Sequence, residues 1–531
     1  MSAPSTLPDV VSFGAAGDPD PARLGGKGAS LVKMVGLGLP VPPGFILSTD
    51  VGRGYLRDGG LPEAVLADTE RELRGLEHAL DRRLGDPDAP LLVSVRSGAP
   101  VSMPGMMDTI LNVGLNDAVV EGLARDTGDD EFAWGSYERL LDSFATTVRG
   151  ISAGVVEEAL LDAPTTGLPP GDAARERTKA LLALIREEGG GEFPQEPRAQ
   201  VEECVNAVFG SWNSPRAKAY RKFRGVDDAI GTACVVQSMV FGNRHGAAPS
   251  GSGVAFSRDP STGAPGSYGE ILYDAQGEDV VSGVRDAEPL DALSARLPEL
   301  GRQLEEVMVS LEREARDLIE VEFTIELGKL WVLQTRVAQR GGRAAVRIAV
   351  DMVDEGLIAE ADAAERVTDE QLEAARAPRF ASAADEADVL ARGLASSPGG
   401  AVGEAAFDAA RAQAMADDGR KVVLVRPTTS PTDVQGFIAS VAVVTGRGGR
   451  TSHAAVVARG MGRPAVCGIG DVTVIDGGRA ARIGDVEMRE GTQIAVDGDR
   501  GTVARTAPPL ADAQDDTYVT RLNQWKATAQ T

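Results

Sequence analysis

The run from Gly448 to Gly460 (Gly-Gly-Arg-Thr-Ser-His-Ala-Ala-Val-Val-Ala-Arg-Gly) places His453 at the mouth of a glycine-rich turn. Small apolar residues follow it, as they would at the start of a helix. The open N–H groups and positive dipole end of a helix N-terminus suit a phosphate. An imidazole held there can take up a phosphoryl group as a nucleophile and pass it on. Thr451 and Ser452 can cap such a helix, and the small residues behind the ring leave access to it. The chain has three histidines. His78 sits in a charged helical stretch and His245 in a loop, and both read as surface residues.

Four further stretches could meet phosphates. Leu24-Gly25-Gly26-Lys27-Gly28 lets backbone N–H groups approach an anion and adds the point charge of Lys27. Its spacing is not that of a P-loop, and taken alone it reads as a flexible turn. Residues 91–96 read as a buried strand that delivers Arg96, a residue suited to bidentate phosphate contact, to a loop over residues 97–107. That loop contains Met103-Pro104-Gly105-Met106-Met107 and reads either as plain surface or as a lid over a nucleotide. Residues 242–263, with Gly251-Ser252-Gly253 and Ser257-Arg258-Asp259-Pro260, read as a glycine-rich hairpin able to fold over phosphates. A second hairpin, residues 319–326 and 330–334 around Leu327-Gly328-Lys329, puts Glu320 and Glu322 on one face. With Gln334 they offer hard oxygen ligands for Mg²⁺, although a solvated amphipathic hairpin would look the same.

These residues need several domains to position them, and 531 residues supply the length. A hydrophobic share of 43% is ample for real cores, but aromatics are only 4%, so those cores must be built from Ala, Val and Leu. The net charge of −25 shows no basic face and argues against nucleic-acid binding. Three scattered cysteines suggest neither a disulfide framework nor a zinc site. The sequence shows no signal peptide and no apolar run able to span a membrane, which reads as cytoplasmic.

Along the chain, residues 1–340 alternate turns and short strands, with a helical insert at about 115–225. Residues 341–395 are rich in Ala, Glu, Asp and Arg and read as solvated connecting helices. Residues 396–506 are compact β/α, and residues 507–531 read as a polar, peripheral tail. The expected fold is a multidomain α/β and α+β protein.

Taken together, in this order, the motifs resemble pyruvate, phosphate dikinase over almost the whole chain. The matching stretches are Leu24 to Gly28, Val93 to Asp108, Ala207 to Asn213, Gln276 to Val281, Glu322-Phe323-Thr324 with Leu333-Gln334-Thr335-Arg336, and Gly448 to Gly462. The resemblance implies an ATP-grasp nucleotide-binding region followed by a swivelling phosphohistidine domain. It implies that ATP, with Mg²⁺, is divided between two acceptors, the histidine and inorganic phosphate, with AMP and pyrophosphate leaving. Carried over, His453 is the phosphocarrier, and Lys27, Arg96 and Arg336 are cations around the ATP phosphates. Glu322 and Gln334 are the magnesium-side ligands, and Gly105, Arg139 and Ser257 fall where the family holds the γ-phosphate or free phosphate. Ser257 replaces the usual threonine and Glu320 the usual aspartate. Arg450 replaces a methionine, adding a cation near the transferred group. Thr451 is a position phosphorylated for regulation in some relatives.

In the family a C-terminal barrel binds pyruvate or phosphoenolpyruvate, and such a barrel needs at least about 200 residues. About 25 follow residue 506 here. The expectation is a half-enzyme serving a barrel on another polypeptide, a donor to some other acceptor, or a fragment. Rival readings are a phosphoenolpyruvate synthase-like half-enzyme that uses water in place of phosphate, and a nucleotide-binding regulatory or phosphocarrier partner. The final acceptor, self-association and regulation at Thr451 stay open at this stage.

Overall fold

The computed structural model describes residues 8–15, 17, 19–101, 103, 109–282, 285, 287–429, 433–450, 452–484, 486–511 and 517–529. The chain forms two compact units, residues 1–250 with 331–335 and residues 251–330 with 336–531.

The first unit is built on a five-stranded sheet in the order Val10–Ser12, Gly44–Leu47, Ala233–Ser238, Val93–Gly98, Thr109–Val113. Every pairing in it is antiparallel. Helices Asp117–Thr127, Asp130–Ser143, Ala153–Asp162, Pro170–Glu188 and Pro197–Ser211 follow the last edge strand in sequence, where the helical insert was expected. Two of them begin with proline at their first positions, where its fixed φ fits and its missing N–H is not needed. The core is chiefly Val and Leu, and it gathers more aromatics than alanines: Phe45, Phe132, Phe144, Phe193, Phe209 and Phe241 with Trp134 and Tyr137.

Gly25 is the position in this unit where glycine is required. Its φ of 70° breaks the Pro21–Gly36 helix, leaving Lys27 in the first turn of the longer segment. A Cβ at Gly25 would lie 1.6 Å from the carbonyl oxygen of Gly98, so the two backbones touch directly. Gly26 N–H donates to the Ala99 carbonyl at 3.0 Å, fastening the same contact.

The second unit begins with a sheet ordered Glu288–Pro289, Pro265–Tyr273, Gly251–Arg258, Ile319–Glu326, Lys329–Val337. The Pro298–Ala315 helix buries Leu300, Leu304, Val307, Met308 and Leu311, the i, i+4, i+7 stripe of an amphipathic helix.

Helix Gly342–Asp354, expected to be solvated, is instead core. Ala344, Ala345, Val346, Ile348, Ala349, Val350 and Met352 are buried. Its charged residues Arg343, Arg347, Asp351 and Asp354 recur every three or four residues along one face, so composition alone hides an apolar face. The tail is likewise not merely peripheral. Helix Thr517–Ala529 buries Val519 and Leu522 in the same cluster, and Arg521 pairs with Asp354 at 2.7 Å.

The remainder of this unit is an eight-stranded sheet, ordered Val389–Arg392, Thr502–Ala504, Gln493–Asp497, Gly400–Ala406, Val422–Arg426, Ser440–Thr445, Ala465–Cys467, Leu394–Ser397. Its four central strands are parallel neighbours. Val423 and Val425 face one apolar cluster while Val422 and Leu424 face the other, which packs against the helices. Burial on both faces explains the unbroken valine runs of the sequence.

Candidate functional site

Parallel strands open their C-terminal loops on one edge of a sheet, and ligands gather there. Strands Val422–Arg426 and Ser440–Thr445 are such neighbours. The loop after the first carries Thr429, and the loop after the second runs from Gly446 into helix His453–Gly460. The loops are stitched together by Gly446 N–H to the Arg426 carbonyl and Arg447 N–H to the Pro427 carbonyl, both at 2.9 Å.

His453 is half-buried at the first position of its helix. Ser452 caps that helix, accepting from Ala455 N–H. The Nδ1 of the ring lies 3.5 Å from the Thr429 hydroxyl, and Phe437 packs edge-on against it at 6.1 Å between ring centres. Burial pushes the imidazole below its ordinary pKa, opposed in part by the Asp433 carboxylate. The ring is therefore neutral at pH 7. In the tautomer whose Nδ1–H donates to Thr429, Nε2 holds the lone pair that a nucleophile needs.

The loop before the histidine is gripped from the Pro265–Tyr273 strand. Glu270, 4% exposed, accepts the Arg450 N–H at 2.8 Å. A Cβ at Gly449 would meet that carboxylate at 2.5 Å. Arg450, expected to add a cation near the transferred group, lays its guanidinium over the Tyr268 ring at 5.4 Å.

Among the expected phosphate and magnesium residues, the second unit holds Ser257, Glu320, Glu322 and Arg336. Arg336 donates to the buried Glu320 carboxylate at 2.5 Å. The Ser257 hydroxyl donates to Glu312 at 2.5 Å and accepts from Ile319 N–H at 3.1 Å. The neighbouring Arg258 is 3% exposed and clamped between Glu312 and Glu355 at 2.5–3.0 Å. Glu322 is half-buried one strand step beyond Glu320. Gln334 lies on the Lys329–Val337 strand, within the 331–335 segment that belongs to the first unit.

The first unit holds Lys27, Arg96 and Arg139. Lys27 sits against Gly98, two residues beyond Arg96 on the same strand. Arg139 is half-buried on helix Asp130–Ser143. Gly105 and Thr451 lie outside the described residues.

Among the described residues there is no cluster of three or more His, Cys, Asp or Glu able to hold a metal. Glu322, in the second unit, and Gln334, in the 331–335 segment of the first, each carry an oxygen donor of the hard type that Mg²⁺ takes. Among the described residues, no helix is long and apolar enough to cross a membrane.

Sequence reasoning missed Thr429, Asp433, Phe437, Glu270 and Arg459. The first three could have been sought in the Pro- and Thr-rich loop after a valine strand. The last two had no signal in spacing.

Comparison with known proteins agrees with this arrangement. The AMP/ATP-binding domain of pyruvate phosphate dikinase matches residues 63–291, and the mobile domain of PEP-utilising enzymes matches residues 419–501. The chain is 43% identical over 517 residues to the chloroplastic pyruvate, phosphate dikinase of Flaveria pringlei, covering 94% of this chain and 53% of that protein. It is 41% identical to the enzyme of Rhizobium meliloti (strain 1021), covering 96% and 59%. It is 42% identical to that of Clostridium symbiosum, covering 94% and 58%. The chain thus spans somewhat more than half the length of these curated relatives. In its nucleotide-binding domain and in the mobile domain that carries His453, it belongs to the pyruvate, phosphate dikinase family.

Proposed function

We propose that this protein is a pyruvate, phosphate dikinase-like phosphotransferase in which ATP and inorganic phosphate together phosphorylate His453, releasing AMP and pyrophosphate. The observation that carries the reading is the neutral, half-buried imidazole at a capped helix N-terminus, its Nδ1 facing Thr429. Nε2 attacks the β-phosphorus, the N–P bond forms as the bond to the α-phosphate oxygen breaks, and AMP takes the electron pair. The γ-phosphoryl group then passes to inorganic phosphate, leaving phosphohistidine and pyrophosphate. Such transfers need positioning and charge neutralisation more than covalent help.

Lys27, Arg96 and Arg336 are the cations for the ATP phosphates. Gly105, Arg139 and Ser257 receive the γ-phosphate or free phosphate. Mg²⁺ would be held by Glu322 and Gln334 and would neutralise charge on the phosphates. The phosphoryl group goes on to pyruvate or to another acceptor. The three cysteines are free and buried, which suits a reducing compartment such as the cytoplasm.

The test is a half-reaction with ATP labelled at the β-phosphate and Mg²⁺, with and without phosphate, beside His453→Ala. Acid-labile, base-stable label on the wild type alone, with AMP formed and with pyrophosphate formed only when phosphate is present, is the expected result. Release of the γ-phosphoryl group as free phosphate, with no pyrophosphate, would move the reading to a synthase that uses water. Nucleotide binding with no label would make the protein a binding partner.

A further inference from the structure

Arg459 closes the last turn of the helix that starts at His453, and it is 1% exposed. Its side chain runs back along the helix, and its Nη1 donates to the carbonyl of Arg450 and to that of Ser396, both at 2.8 Å. Arg450 lies three residues before the histidine, so the guanidinium is delivered beneath the loop that leads into the active position. Its Nε is buried with no hydrogen-bond partner. No carboxylate pairs with it among the described residues.

That is an unusual state for a buried cation, which is ordinarily paired. The acids in its vicinity have other partners. Asp259 accepts from the Ser261 and Thr262 N–H groups and from the Thr262 hydroxyl, and Glu320 binds Arg336. Burial lowers the guanidinium's pKa, but arginine stays charged at neutral pH. The unphosphorylated protein therefore keeps beneath the loop of its own nucleophile a positive charge that Asp259 and Glu320 favour from a distance but no carboxylate among the described residues pairs directly.

We propose that Arg459 is a built-in counter-charge for the phosphoryl group on His453, a positioning residue that acts through the Arg450 carbonyl and whose charge is balanced only when the histidine is phosphorylated. The proposal rests on His453 being the phosphocarrier. It predicts that the phosphorylated chain is the more stable one and that its N–P bond is protected from hydrolysis.

The test uses the full chain and phosphoramidate, which phosphorylates histidine without any ATP site. The P–NH₂ bond breaks as the imidazole N–P bond forms, and ammonia leaves with the imidazole proton. Label is located by intact mass against His453→Ala. Melting temperature and hydrolysis of the phosphohistidine are then compared for wild type, Arg459→Met, Arg459→Gln, which keeps a donor without charge, and Arg459→Lys, which keeps the charge.

Phosphorylation is expected to raise the melting temperature of wild type and Arg459→Lys by about 2 °C or more, and that of the two neutral variants not at all. Phosphohistidine in the neutral variants should hydrolyse about tenfold faster. Arg459→Gln, which preserves a hydrogen bond, serves if Arg459→Met does not fold. An equal stability gain in charged and neutral variants, or equal hydrolysis rates, would overturn the proposal. Label from phosphoramidate but not from ATP sinks the ATP-dependent reading and leaves this comparison decisive, and label from neither overturns both.

Discussion

At the scale of the residue, the chemistry of His453 is set by two opposing influences. Burial lowers its pKa and Asp433 raises it, with burial the larger. In the proposed reaction the nucleophile is the neutral ring, so its phosphorylation rate should fall with acid only below the ordinary histidine value of about 6.5. Asp433→Asn removes the group that favours the protonated ring. The acid limb of the rate–pH profile should therefore move to lower pH, as single-turnover labelling between pH 5 and 8 would show. A shift to higher pH would mean that Asp433 acts by orienting the ring. The place of His453 at a capped helix start was legible in the sequence, because glycines before it and small apolar residues after it mark a turn that opens a helix. Thr429 was not: it meets the ring through the pairing of two parallel strands, which brings together residues 24 apart with no fixed spacing. Arg459 was in plain view in the motif, but its burial depends on the Ser396 strand and on a loop carbonyl.

At the scale of the element, two sites show how local geometry decides placement. Gly25 lets the helix that carries Lys27 touch the end of the strand that carries Arg96. Gly25→Ala places a Cβ inside the Gly98 carbonyl and demands a φ of 70°, which by itself costs of order 1–3 kcal/mol. The expected outcome is a chain that folds with reduced stability and binds ATP much more weakly, read by calorimetry and nucleotide titration. Normal ATP affinity would show that Lys27 and Arg96 need not share this contact. The second site is the C-terminal helix. Its polar composition hid Val519, Leu522 and Trp525, three residues apart, which pack with helix Gly342–Asp354. Leu522→Ala should cost about 2–5 kcal/mol, seen as a lower denaturation midpoint of the second unit. An unchanged midpoint would mean that the helix is dispensable. The strands were legible because valine runs and glycine turns are short-range signals. The buried connector was not, because a helix with charges on one face has the composition of a solvated one.

At the scale of the whole molecule, a stretch matching the AMP/ATP-binding domain of pyruvate phosphate dikinase is followed by one matching the mobile domain of PEP-utilising enzymes, in the order its motifs announced. The second unit contains both the sheet bearing Glu320, Glu322 and Arg336 and the sheet bearing the histidine. One of their meeting points is the Glu270 carboxylate and the backbone N–H of residue 450. Because the main chain makes that contact, it is indifferent to the side chain at 450. A substitution at 450 would leave that hydrogen bond in place while taking the guanidinium away from the Tyr268 ring. Position 449 has no such freedom, since any side chain there would strike the same carboxylate. Two adjacent positions thus meet opposite demands from one carboxylate, which asks only for a backbone N–H at 450 and leaves no room for a Cβ at 449.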